Sequence, residues 1–214
     1  MKSFPFGMLF VASDIDEVHE SEFNNWYDSE HVPDRVRMPG VIKAARFKAV
    51  SGAPKYLALY WANSLSSFDG PEYQHAFKNQ TSWSQKILPL MKNPIRRVGT
   101  AVGDFSERGG EFVSIIVSRR VVSNDDLQTL NSALKTDSGF VQSYCITPME
   151  GLSLPLPQED LANRAMNNII VVESRSQASA ENLTQLALKY FVGDSHELGR
   201  YQVVSQSAAE EVRG

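Results

Sequence analysis

Phe23, Tyr27 and His31 stand four residues apart, in and around the segment Trp26-Tyr27-Asp28-Ser29-Glu30-His31-Val32-Pro33. On a helix that spacing stacks the three side chains on one face, and a face with two aromatic rings is the one that is buried. The stripe therefore ends in an imidazole at the rim of an apolar space. An imidazole titrates near neutral pH, so it can take a proton from a phenol or from a carbon next to a carbonyl, and return it. The competing role is a core or helix-end histidine bonded to a backbone carbonyl. Tyr27, one turn earlier, could donate to a substrate oxygen, or simply pack with its hydroxyl at the rim. Arg46 is a cation in the middle of an extended run, beside the small Ala44. Facing a pocket it could hold a carboxylate or enolate oxygen; facing solvent or a partner unit it makes only a salt bridge.

Other aromatics would shape such a pocket. Trp26 reads as a wall, and Tyr60 shares a strand face with Tyr56 and offers a second hydroxyl. Tyr73 and Phe77 are one turn apart, with Trp83 and Ile87 following, as a core stripe and pocket roof. His19 and His75 read as exposed, and His196 falls in the polar turn Gly193-Asp194-Ser195-His196-Glu197. The expected site is thus His31, Tyr27 and Arg46 for chemistry, with Trp26, Tyr60, Tyr73, Phe77 and Trp83 against the substrate.

Other chemistries lack their residues. The chain has no His-x-x-x-His pair and no evident His/carboxylate cluster, so no metal site is expected. It has no glycine-rich phosphate loop after a strand and no Gly-x-Ser-x-Gly, so no nucleotide cofactor or local nucleophile is expected. Cys145, the single cysteine, allows no internal disulfide and reads as a buried, inert thiol. A net charge of −4 without a basic tract argues against nucleic acid, since Arg96-Arg97 and Arg119-Arg120 are only pairs. No run approaches the roughly 18 apolar residues of a membrane span, and residues 1–11 do not read as a signal peptide. A soluble, cytoplasmic protein without a membrane partner is the expectation.

These residues must be positioned by a small set of elements. Strands are expected at 7–12, 41–50, 56–61 and 97–105. A helix capped by Asp14 or Asp16 runs over 17–32 until Pro33 stops it, and broken helical sequence covers 66–91. The polar stretch Ser106-Glu107-Arg108-Gly109-Gly110 reads as a link between units 1–105 and 111–214. After it the order repeats. Strands are expected at 112–118, 141–146, 168–173 and 201–205, and helices at 124–134, capped by Ser123, and 180–191. Residues 147–165 read as a loop or lid. Twice β-α-β-β-α-β makes two ferredoxin-like units, each with one bare sheet face that the other can cover. The fold class is α+β, a pseudo-dimeric barrel.

The first half resembles the dimeric α/β-barrel superfamily, particularly its EthD-like branch and related uncharacterised bacterial families. The resemblance rests on residues 26–33, on Met38-Pro39-Gly40-Val41, on Arg46-Phe47 and on Tyr56-Leu57-Ala58-Leu59-Tyr60. The second half departs from that pattern, because its first helix has no His-x-Pro and no paired aromatics. The resemblance thus implies one active-type half and one supporting half. That superfamily includes cofactor-free isomerases, polyketide cyclases, quinone-forming monooxygenases, haem-using members and proteins of no known activity. With the His31 stripe, the expectation is a cofactor-independent enzyme moving a proton on a small, mostly apolar, aromatic or polyketide-like compound, as an isomerase, cyclase or lyase. The alternatives are a cofactor-free monooxygenase of a phenol, a non-enzymatic small-molecule binder and a haem-handling protein. Homodimers are common among such folds.

Overall fold

The computed structural model describes residues 6–103, 105, 106 and 108–210. Parts of the expected N-terminal segment and link, residues 1–5 and 107, lie outside that range, as does 104 in the expected fourth strand. Eight strands appear: β1 (Phe6–Asp14), β2 (Val41–Gly52), β3 (Tyr56–Ala62), β4 (Lys92–Gly103), β5 (Phe112–Ser118), β6 (Phe140–Pro148), β7 (Asn168–Ser174) and β8 (Ser195–Ala208). They close into an antiparallel barrel in the order β1-β3-β2-β8-β5-β7-β6-β4. The first four strands lie in the order β4-β1-β3-β2 and the last four in the equivalent order β8-β5-β7-β6. The two ferredoxin-like units are stitched where β2 pairs with β8 and β4 with β6. Closure removes the open edges that either sheet alone would present.

Helices cover the outside. They are α1 (Glu17–Trp26), α2 (Val32–Val36), α3 (Pro71–Lys78), α4 (Ser82–Ile87), α5 (Asn124–Leu134) and α6 (Gln177–Tyr190). β1 and β3 therefore bury both faces and read as nearly continuous apolar runs, whereas much of β8 stays open to solvent. Along β1, Met8, Phe10 and Ala12 enter the barrel core with Phe47, Trp61 and Tyr201, while Leu9 and Val11 face the first helical layer. A third apolar layer lies between α5, α6 and the second sheet.

Several expected boundaries move. The first helix does not stop at Pro33. After α1 the chain makes a π-helical turn over Tyr27–His31 and then continues as α2. Proline has no N–H to lose and fits the first turn of a helix, and the wider turn before it relieves the clash with the preceding carbonyl. Asp16 does cap α1 by position, but its side chain makes no capping bond. Ser123 caps α5 in full, with Asp126 returning the bond as a capping box. The strand expected at 97 starts at Lys92, and β8 starts at Ser195, so His196 lies in a strand, exposed. Backbone pairing, not side-chain pattern, extends these polar ends. His19 is half-buried rather than exposed.

Candidate active site

The π-helical turn sets the geometry of the site. In an α-helix, residues i and i+5 point about 140° apart. The added residue brings Trp26 and His31 together, with ring centroids 4.3 Å apart. Tyr27 meets the same imidazole edge-on at 5.3 Å. Trp26 is anchored from behind, its indole N–H donating to Ser84 Oγ at 3.1 Å. Glu30, on the other side of the turn, accepts from Thr81 Oγ1 at 2.6 Å and so ties the turn to the start of α4. His31 is thus held by ring contacts, and neither of its nitrogens has a hydrogen-bond partner among the described residues. Burial, with Arg35 and Arg46 adding repulsion, holds its pKa well below the usual imidazole value. The ring is neutral at pH 7 and can accept a proton.

His31 stands between two spaces. Inward lies a hollow of about 30 Å³, walled by Tyr27, Arg35, Tyr73, Phe77, Arg96 and Leu156 among others. That is room for a water or two, or for the head group of a small molecule. Outward lies a groove of about 280 Å³ between α2 and the α3–α4 region, lined with Asp34, Arg35, Arg37, Asn79, Gln80, Thr81 and Ser84. His31, Arg35 and Gln80 border both spaces.

The expected residues separate into three groups. His31, Tyr27, Tyr73 and Phe77 line the hollow. Trp26 and Tyr60 are fully buried in the same layer but are not on the wall, and Trp83 packs half-buried against it. Arg46 faces the helical layer yet turns away from both spaces. Its guanidinium donates to Asp28 Oδ1 and Asn24 Oδ1, each at 2.6 Å, and lies 4.4 Å from the Tyr27 ring centre. That engagement makes it the clamp that holds Tyr27 from behind. Tyr27 itself makes no hydrogen bond, and burial pushes its pKa up to about 12, so it keeps its proton and can donate. The Tyr60 hydroxyl is buried without a partner and is also pushed upward by burial.

Two arginines escaped the sequence reading. Arg35 lies four residues after His31 and is 8% exposed, with no hydrogen bond or ion pair among the described residues. Continuing the helix through Pro33 would have revealed it as the next member of the face. Arg96 is 3% exposed and reaches the hollow from β4. Only strand pairing, which sets it opposite Val11 on the helix-facing side of the sheet, shows that. It donates to the Leu152 and Leu154 carbonyls and to Tyr73 Oη. The loop expected at 147–165 therefore does cover this space, and Leu156 forms part of its wall.

No protein-family model matches the chain, and no curated protein matches it. Solved structures do. An anthrone oxidase-like protein is 11% identical, with a TM-score of 0.57 over 97% of this chain and 94% of its own. The chlorite dismutase of Candidatus Nitrospira defluvii gives 11% identity and 0.55 over 99% and 94%. A haem-binding protein from Thermus thermophilus gives 9% identity and 0.52 over 99% and 98%. The fold is the dimeric α+β barrel. The likeness is to this barrel as a whole and not to its EthD-like branch in particular. Among the described residues no helix is long and apolar enough to cross a membrane, and no three His, Cys, Asp or Glu side chains converge as metal ligands.

Proposed function

We propose that this barrel is a cofactor-independent enzyme that moves a proton on a small organic molecule, with His31 as the base and then the acid. The observation that carries this reading is a neutral imidazole with both nitrogens unpartnered, at the junction of a groove and a hollow. His31 takes a proton from a carbon next to a carbonyl, leaving an enolate. Arg35, bordering both spaces, and the protonated Tyr27 hydroxyl stabilise the oxyanion. The imidazolium then returns the proton to another carbon, or to a leaving group. The groove's volume falls just below the usual range for ligand sites, which suits a single ring or a short chain rather than a polycyclic body.

Incorporation of solvent deuterium tests this without knowledge of the substrate. In D2O, a panel of small ketones, keto acids and hydroxyarenes should include members whose α- or ring protons exchange faster with the protein than without it. His31→Gln should abolish that acceleration. Exchange that survives the substitution would remove His31 from the role.

A second reading rests on the name of one neighbour, the anthrone oxidase-like protein. Here the same deprotonation prepares an electron-rich phenolate that reacts with oxygen directly. Oxygen consumption that accompanies substrate loss separates the two.

A haem does not fit the residues present. A macrocycle does not enter the hollow in front of His31, and the corresponding layer of the second half is filled by apolar side chains, Leu130, Leu183 and Phe191 among them.

A further inference from the structure

We infer that the ligand is a small carboxylate whose head group enters the hollow between Arg35 and Arg96 while its body lies in the outer groove. The inference rests on the proton-transfer reading for the location of the site and names the ligand class it serves.

Charge bookkeeping inside the hollow carries it. Two arginines, both more than nine-tenths buried, face a space whose lining contains no Asp or Glu. A guanidinium so largely enclosed without a counter-ion is unusual, because removing a charge from water is costly unless it is paired. The nitrogens of Arg35 stay reachable from the groove it borders. Elsewhere in this chain the rule is obeyed: Arg46 has Asp28, and Arg97 and Arg164 share the buried Glu159. Arg96 has only neutral acceptors, two carbonyls and a phenol. Arg35 has no acceptor at all among the described residues. Asp34, the one carboxylate of the groove, faces Arg37 at 3.4 Å and lines only the outer space.

Size points the same way. A hollow of about 30 Å³ holds roughly two oxygen-sized atoms, the dimensions of a carboxylate and not of a ring. The planar fork of an arginine matches a carboxylate in geometry as well as charge. Arg35 and His31 both border the passage from hollow to groove. A carboxylate seated there therefore places the atom next to its head group beside the imidazole.

Binding measured by tryptophan fluorescence or calorimetry tests the inference with acetate, pyruvate and benzoate against acetamide, pyruvamide and benzamide. At least one acid should bind the wild-type protein while its amide does not. Arg35→Gln should weaken that acid by roughly tenfold or more, and Arg35→Lys should recover part of the loss. Acids that bind no better than their amides, or binding untouched by Arg35→Gln in a folded variant, would overturn it. Should Arg35→Gln fail to fold, the acid–amide comparison on the wild-type protein still decides. The two readings fail differently. His31-dependent exchange on neutral ketones without acid binding sinks the carboxylate alone. Acid binding without His31-dependent exchange sinks the proton transfer alone.

Discussion

The two helix-covered layers of this barrel are built on the same strand order and filled in opposite ways. Over the second sheet, α5 and α6 meet it through Leu127, Leu130, Leu134, Leu183, Ile170 and Phe191, and that layer is shut. Its few polar groups are small and satisfy one another, as where Ser143 donates to Asn131 and Thr184 donates to Ser114. Cys145 sits in the same layer with its pKa pushed up to about 12 by burial, the state of an inert thiol. Over the first sheet the equivalent space holds Tyr27, Tyr60, Tyr73, Arg35, Arg46 and Arg96, and it keeps a hollow. The second unit also lends the first its β6–β7 loop, whose carbonyls receive Arg96. The repeated strand order supplies two scaffolds, of which one can stay closed and stabilise the barrel while the other carries polar groups at some cost in stability.

The contrast can be broken or sharpened by substitution. The largest effect is expected at His31, where His31→Gln should lower turnover or solvent exchange by about 10²–10⁴-fold, with the denaturation midpoint at pH 7 little changed. Leu130→Ala, in the closed layer, should do the reverse. Chemical denaturation should show a loss of about 2–5 kcal/mol with the site's exchange rate unaffected, because the deletion leaves a cavity in a packed interior.

Next in size is a pH effect confined to the first layer. The folded pKa of His31 is depressed, so below about 6.5 the unfolded chain binds a proton that the folded chain does not. Stability from this group is present above that pH and falls as the pH drops through 6.5 toward the folded value. The slope is at most about 1.4 kcal/mol per pH unit. Urea midpoints measured at pH 7 and pH 5 should fall for the wild-type protein and fall less for His31→Gln. Equal slopes would mean that the imidazole is as easily charged in the folded state as in water. The smallest effect belongs to the rim of the groove, where Asp34→Asn breaks only the exposed pair with Arg37 and should shift stability by less than about 1 kcal/mol.

Much of the scaffold could be read in one dimension, and the reason is periodicity. The alternation along β2 puts Ile42, Ala44 and Arg46 on one face and Lys43, Ala45 and Phe47 on the other. The barrel keeps that division from Ala44 to Phe47, but a bulge between Val41 and Lys43 turns Ile42 toward the barrel core. The Ser123 cap and the Gly-Pro break before α3 are local steric and hydrogen-bonding rules. The site was less legible. Tyr27 and His31 stood out because their spacing suggested a stripe, but the contact that fixes the imidazole is the i+5 one with Trp26, produced by a π-helical turn with no clear sequence signature.

The sequence by itself determined the order of elements, the repetition of that order and the side of most strand residues, because these follow from patterns of burial along a local repeat. Which arginine is clamped and which is left bare was decided only in three dimensions. Arg46 found Asp28, eighteen positions away, and Arg35 found no acceptor among the described residues. Arg96 reached carbonyls of a loop more than fifty positions further on. A charge's partner is set by distance in space, and no local pattern encodes that distance.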